Sequence, residues 1–443
     1  MSASARIAVI GAGIAGLSAA HDLRKAGLSP VVFEAAAYVG GRIKSFRRGD
    51  FVFDVGAFIY LGSYTDALSL MKEVGLADKI GKFDAYGAMP RDGVLNFLNF
   101  NTPVRTVLRT AYLSAASKLK LLKLFVLLYR HWKDLNYHDA AGLARIDDDT
   151  VESYCRRELN QELLDYVASV VVRGPWLTNP ETASVGQLLW TLKNFFKPYF
   201  YALEGGMDVL PRTLAAALEV KLNCAVANVT DSGSQVEVTW QSAGLEHTES
   251  FDRCLITTTT DQALAIYPQM QGEQHRFYAT TDYINSVGTH LALRTRPKNP
   301  ATYIMCSAHE QVDFCGVIVD HLKASGRAPP GKRMLTVFCR HEWGVRNLES
   351  SDQVVLNQVL GFLKPYYGDL TSDIEDFEIT RWPRVVPVMP KGRFKAIAAY
   401  QQSIDPRSLV QFAGDLAPIG GVNAALVSGR SAARRIAGQF DAH

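Results

Sequence analysis

The chain has 443 residues, more than one hydrophobic core usually supports, so two interwoven domains are expected. Hydrophobic residues make up 48% and charged residues 21%, an ordinary globular balance, and a formal charge of +3 gives no general reason to expect nucleic acid as a partner. Cys155, Cys224, Cys254, Cys306, Cys315 and Cys339 show no CxxC pair and no zinc-ligand spacing, so reduced thiols and no metal are expected. The opening MSASARIAVIGAG runs straight into a strand, leaving no room for a cleaved signal sequence. No run of about 18 apolar residues marks a membrane span, and the cytoplasm is the expected location.

Residues 6–34, RIAVIGAGIAGLSAAHDLRKAGLSPVVFE, set the organisation of the rest. The apolar run 6–10 predicts a buried parallel strand. Gly11, Gly13 and Gly16 follow in GxGxxG spacing and open a helix with apolar positions at Leu17, Ala20 and Leu23. Gly11 permits the tight turn, Gly13 lets backbone approach a pyrophosphate, and Gly16 lets the helix pack against its strand. Ile14 and Ala15 lie at the helix mouth, whose free N–H groups face phosphate charge. Gly27 stops the helix, 31–33 form a second strand, and Glu34, 18 positions beyond Gly16, is placed with Ala35 to meet an adenosine ribose.

The next segments also suit a cofactor. Gly40, Gly41 and Arg42 predict a loop folding back over it, with the guanidinium available to phosphate. The stretch 51–60, FVFDVGAFIY, is expected to be a strand with a small-residue turn at Gly56 and Ala57, where backbone can lie against a flat ring. A helix is expected over 66–74, ending near Gly75, and a small sheet over 83–100, turning at 91–93. Residues 103–139 are helical in period, Leu-rich and dotted with Lys118, Lys120, Lys123 and Arg130. A basic amphipathic helix resting on a membrane and a pair of solvated substrate-domain helices both fit this pattern. The second is preferred, because Lys123 interrupts the strongest apolar run. Residues 147–159 begin another helix with acids in its first turn. Gly205 and Gly206 mark a turn, and 236–240 are expected to continue the nucleotide sheet. From 283 to 383 the pattern is rich in strands, with a helix at 351–367. At the far end, strand 409–413 leads to Gly414 and Asp415, then Gly420 and Gly421. The helix from Val422 follows, with Ala425, Ser428, Gly429 and Ala432 as a close-packing face. The carboxylate can hold a ribityl hydroxyl or phosphate-side group, and the helix N-terminus favours anionic charge.

GxGxxG with Glu34, GGR at 40–42 and the terminal AGD…GGVNAALVSGRSAARRI resemble the flavin-containing amine oxidase superfamily, in its protoporphyrinogen oxidase and phytoene desaturase-like branch. The resemblance implies FAD, extended between Glu34 and the terminal motif. It also implies an α/β fold in which a Rossmann-like FAD-binding domain of glutathione-reductase type is interwoven with an α+β substrate domain. No linker or repeat separates them, so discontinuous pieces are expected: 1–85, 203–265 and 385–443 for FAD, 86–202 and 266–384 for substrate. Residues 203–218 then return the chain to the cofactor domain, Val226 lies where family members offer backbone to adenine, and 254–260 resembles a returning strand. The 173–176 corner holds Arg173, read either as lining the cavity or as a structural turn. Amine oxidases often carry a lysine on the first strand after 283, where an ungapped placement puts Thr289. They frame the flavin with aromatics, and this chain has Val422 at one such place. The stretch 381–394 resembles the RWP…P…G segment of protoporphyrinogen oxidase-like proteins, making Trp382 and Met389 candidates for the cavity, with Tyr60 at the end of 51–60. Cys339 is far from Gly414, so the FAD is expected to be non-covalent.

The implied function is dehydrogenation of a lipophilic or aromatic small molecule by hydride transfer to flavin, with oxygen or another acceptor restoring it. An amine oxidase, a redox-neutral double-bond isomerase and a non-catalytic nucleotide-binding scaffold are the alternatives. The histidines have no mutual spacing that suggests a metal site, and the pattern singles out no acid or base.

Overall fold

The computed structural model describes residues 4–194, 196, 199–295 and 299–440. Arg6–Ile10, buried over four of its five residues, lies at the centre of a five-stranded parallel sheet. Its neighbours are Ser29–Phe33 and Arg253–Ile256, with Glu219–Lys221 and Val410–Phe412 at the edges. Cover on both faces explains why these strands read as continuous apolar runs rather than alternating ones. The helix Ile14–Lys25 buries Leu17, Ala20 and Leu23 and stops where Gly27 takes a φ of +80°. The terminal helix Val422–Ala437 crosses it so closely that a Cβ on Gly429 would stand 2.1 Å from the Ala15 carbonyl oxygen. The small-residue face read in the sequence is the contact between these two helices.

The second layer is a seven-stranded sheet ordered Ile374–Trp382, Ser286–Leu293, Arg333–Cys339, Phe314–Val319, Tyr303–Met305, Tyr86–Arg91, Val94–Asn99. Val287, Leu291 and Leu293 pack with Val355, Val359 and Leu363 of the helix Asp352–Tyr367. On the other face Ala292 and Met334 meet Phe51, Phe53 and Val55.

Several expectations require correction. The hairpin 86–99, turning at Asp92 and Gly93 with φ of 53° and 74°, joins the edge of the large sheet through Tyr303–Met305 instead of forming a separate small sheet. Val236–Ser242 belongs to a separate antiparallel sheet with Ala225–Asp231 and Leu245–Phe251. The strand in 51–60 stops at Asp54. Asp147 does not sit in the first turn of the helix Val151–Glu158, which Thr150 caps. Its carboxylate instead accepts from the amides of Phe394 and Lys395 at the start of the helix Arg393–Gln402. Glu152 does occupy the first turn of Val151–Glu158, and Asp147 meets the N-terminus of a different helix, both as the macrodipole favours.

Asp54 ties the layers together. Its carboxylate pairs with Lys323 and Arg327 at 3.1 and 2.5 Å and accepts from Ser45 Oγ and the Met207 amide. Burial opposes ionisation of Asp54, but the two cations and these hydrogen bonds prevail, holding its pKa at about 2.

Candidate functional site

Every strand of the parallel sheet presents its carboxyl end to the same edge, and loops there are the usual seat of a nucleotide. After Arg6–Ile10 the chain turns through Gly11, with φ of +104°. Thr257, just beyond Arg253–Ile256, braces this turn: its hydroxyl donates to Ile10 O and Gly11 O at 2.8 and 3.1 Å. Gly16 is required by the fold itself, since its Cβ would fall 2.0 Å from Gly11 O. Gly13 differs: its φ of −71° suits any residue, and a Cβ there would meet nothing within 4 Å. Open space therefore fronts the N-terminus of Ile14–Lys25, where Ile14 and Ala15 form the first turn and helix N–H groups lack intrahelical partners. The Glu34 carboxylate closes the loop, accepting from the amides of Ala12 at 2.8 Å and Ala36 at 2.9 Å, while Ala35 is exposed beside it. Val226 is half-buried in a bulged strand, and the Cys224 amide donates to Glu34 O.

The loop 40–42 lies on the glycine turn. The Gly40 amide donates to Ala12 O at 2.8 Å, and a Cβ on Gly41 would reach the Gly13 Cα at 3.4 Å. The Arg42 carbonyl is enclosed by Gly56, whose Cβ would stand 2.0 Å from it, and by the Ala57 amide at 2.8 Å. The Arg42 guanidinium grips both oxygens of Asp415 at 2.9 and 2.8 Å and donates to Val385 O. Arg42, expected to be available to phosphate, is thus held by a carboxylate, at the place where the two ends of the chain converge. The Tyr283 hydroxyl donates to Asp415 at 3.1 Å and accepts from the Thr260 amide. Burial, then the Asp415 charge, push the Tyr283 pKa above its ordinary value. Gly414, at φ +114°, stands over the Thr257 carbonyl, and its amide donates to Ser428 Oγ. One threonine therefore separates the two glycine motifs. The Tyr64 hydroxyl lies 2.9 Å from where Gly421 would carry a Cβ, at the mouth of the Val422–Ala437 helix.

The cavity candidates scatter. Tyr60 is fully buried in the core, paired with Tyr201 and bonded weakly to Met207 O at 3.4 Å; Tyr64, four residues on, reaches the terminal motif instead. Arg173 is a brace within the helix Ser169–Trp176: its guanidinium donates to Asn179 and to the carbonyls of Gln311, Val312 and Phe314. Thr289 alternates with Val287 and Leu291 onto the sheet face that packs against Asp352–Tyr367, away from the Phe51–Asp54 side. Trp382 donates from Nε1 to Val55 O at 2.7 Å and packs beside Phe51 and Phe53, so it joins the layers. Met389 is buried in the main core, and Val422 is buried in the first turn of the last helix.

Other residues gather beside the 56–57 and 414–421 segments. A Cβ on Gly420 would meet Trp176, Val386 and Pro387 at 3.5 to 3.7 Å. Phe58, directly after Ala57, stacks on Phe338 with centroids 5.5 Å apart, in an apolar cluster with Tyr303, Met305 and Val386. The buried ammonium of Lys323 donates to Phe58 O at 3.0 Å and fixes that segment. The 11–16 turn, the 40–42 loop, the 56–57 turn and the 414–421 loop fit a dinucleotide: a helix mouth at Gly13 that a Cβ would not fill, a carboxylate at each end and an apolar wall beside the second.

The family model for flavin-containing amine oxidoreductases matches residues 14–437. The chain is 28% identical over 287 residues to protoporphyrinogen oxidase 2, chloroplastic/mitochondrial, of Arabidopsis thaliana, covering 55% of this chain and 54% of that protein. It is 34% identical over 103 residues to the Arabidopsis thaliana zeta-carotene desaturase, 22% of this chain and 18% of that one. The matched segments thus span about half the length of the first relative and less of the second. Among solved structures, cyclohexylamine oxidase from Brevibacterium oxydans IH-35A shares the fold, with a TM-score of 0.79 at 18% identity over 99% of this chain and 100% of that one.

Proposed function

The chain belongs to the flavin-containing amine oxidoreductase family, and from that premise we propose that it binds FAD, non-covalently, and dehydrogenates a lipophilic or aromatic small molecule. The observation that carries this reading is Thr257 set between the two glycine motifs, with Arg42 on Asp415 closing the ring around them. In this reading 1–85, 203–265 and 385–443 hold the cofactor, and 86–202 and 266–384 shape the substrate chamber. Similarity to the protoporphyrinogen oxidase supports the substrate class.

FAD, when bound, supplies the acceptor for a hydride from a substrate carbon, and oxygen or another acceptor regenerates it. The residues of this chain bind and orient. The helix mouth at 13–15 and the 40–42 loop take the pyrophosphate, and Glu34, with lone pairs left beyond its two amide bonds, takes the adenosine ribose. Asp415, held by Arg42 and Tyr283, serves the ribityl side, and the Val422–Ala437 N-terminus favours negative charge next to it. Phe58, Phe338, Trp176 and Val386 exclude water from an apolar substrate. All six cysteines are buried and unpaired, which supports a dissociable cofactor and a cytoplasmic setting.

The test is direct. Purified protein should be yellow, release FAD and not FMN on heat denaturation, and lose its colour anaerobically with porphyrinogen-like or polyene substrates. Colour loss with amines and peroxide release would instead favour an amine oxidase. Protein that is colourless and takes up no FAD would overturn the reading.

A further inference from the structure

The helix Val422–Ala437 ends on two arginines, where its dipole favours cations. Arg434 is exposed and donates to Ser431 Oγ, but Arg435 is half-buried. Its Nε donates to Gln411 Oε1 at 2.8 Å and its Nη2 to Phe412 O at 3.3 Å, both neutral acceptors. Among the described residues Arg435 forms no ion pair, whereas Arg430 on the same helix pairs with Asp22 at 2.8 Å. Burial pulls the Arg435 pKa below its ordinary value, and the Arg434 charge acts in the same direction. A guanidinium stays charged all the same, so the fold leaves this desolvated cation without a counter-charge.

Arg435 borders a cavity of about 60 Å³ and, beside it, an open cleft of about 520 Å³; His138, Gln401 and Ile404 also belong to both walls. Ser428, Ser431 and Arg435, spaced three and four apart, put one face of the terminal helix on the cavity. Tyr400 joins them from the helix Arg393–Gln402, its phenol kept neutral by burial that pushes the pKa up to about 12. Among the described wall residues the only acid is Asp139, in the outer cleft, and its carboxylate already accepts from the Ala141 amide at 2.8 Å. The inner walls thus offer one cation and three hydroxyls, with no opposing charge. A water needs about 10–15 Å³ of such space, so the cavity has room for one oxyanion of four or five heavy atoms. We propose that it binds a small oxyanion of the phosphate class, held by a charge-assisted bond from Arg435, with the body of any phosphate monoester lying in the outer cleft. Gly429, which meets Ala15, lies on a different face of the helix from Ser431 and Arg435, so this site is apart from the first glycine turn. It adjoins the second: Leu416 and Ala417 line the cavity, and the Gly414 amide donates to Ser428 Oγ at 3.1 Å. An occupant therefore braces the loop that carries Asp415. The inference does not depend on the flavin reading.

The experiment is calorimetric titration of the full chain with inorganic phosphate, at an ionic strength held constant with chloride, repeated with glycerol phosphate and with FAD in excess. Saturable binding of one phosphate per chain is expected, unchanged by FAD. Tighter binding of glycerol phosphate would assign the outer cleft to an organic body, and equal binding would assign the site to the free ion. Arg435→Gln should weaken binding roughly tenfold or more, as should Ser431→Glu, which sets a carboxylate in the wall, at unchanged circular dichroism. Should Arg435→Gln fail to fold, Ser431→Glu alone decides. The proposal is overturned if phosphate binds no better than chloride, if FAD displaces it, or if the folded variants bind it as the wild type does.

Discussion

Both carboxylate oxygens of Asp415 accept hydrogen bonds from Nη2 of Arg42 across 373 positions of sequence. The Asp415 side chain is nearly buried, so Arg42→Ala leaves a carboxylate with Tyr283 as its remaining side-chain donor. The arginine itself is partly exposed, which places the expected loss of stability at about 2 kcal/mol, below the roughly 3–5 of a wholly buried pair. Denaturant unfolding of the cofactor-free protein measures it. An unchanged midpoint would show that the pair adds nothing to the fold.

Tyr283→Phe removes a donor from Asp415 and the acceptor of the Thr260 amide while keeping the ring. Flavin affinity should fall by about 1 kcal/mol, roughly fivefold in Kd. Fluorescence titration with FAD reads this, and an Asp415→Asn background should abolish most of the difference if the hydroxyl acts through that carboxylate.

Gly13 and Gly16 should separate binding from folding. Gly16→Ala drives a Cβ into Gly11 O and should cost about 1–3 kcal/mol or more of stability. Gly13→Val finds open space in the protein and should fold with a normal unfolding midpoint yet retain no flavin. Full flavin content in purified Gly13→Val would show that no phosphate approaches this point.

Glu34→Ala strands the Ala12 and Ala36 amides as well as removing the proposed partner of the ribose. Each loss is about 1–3 kcal/mol, so the variant should lose both stability and FAD affinity, whereas Glu34→Gln should restore much of the former and less of the latter. Parallel unfolding and FAD-titration curves distinguish the two roles.

Acid should destabilise the protein in two stages. Burial lowers the His290 pKa to about 4 from an ordinary 6.5, so the unfolded chain takes up the proton first and stability falls as pH drops from about 6.5 to 4. Asp54, held at about 2 instead of 3.8, keeps its contribution above pH 4 and loses about 2 kcal/mol between pH 4 and 2. His290→Gln, which keeps partners for Thr336 and Thr380, should flatten the first stage alone. A stability profile for that variant parallel to the wild type from pH 6.5 to 4 would contradict the assignment.

The glycine turns were legible in the sequence because Gly11, Gly16, Gly27 and Gly414 answer to backbone demands, visible in residue type and spacing. The terminal motif was legible for the same reason. The cavity was not. Whether Thr289 or His290 faces the Phe51–Val55 side depends on strand phase, and a shift of one residue exchanges the faces. Tyr60 and Tyr64 differ by about one helical turn's worth of chain, yet one is sealed in the core and the other reaches Gly421. Thr257, Tyr283 and Lys323 act through partners at least 132 positions away, which no local pattern discloses. Asp147 showed the right preference, for a helix N-terminus, without showing which helix.

The contact of Gly429 with Ala15 carries a consequence for biosynthesis. The helix Ile14–Lys25 is covered by Val422–Ala437, translated about 400 positions later, and strand Val410–Phe412 closes the flank of Arg253–Ile256. A nascent chain that has not yet reached residue 410 carries the glycine turn but neither the covering helix nor Asp415, so it holds an uncovered hydrophobic edge until those residues are made. Emergence of residues 410–437, rather than of the glycine turn, is the moment at which this fold can close around a flavin.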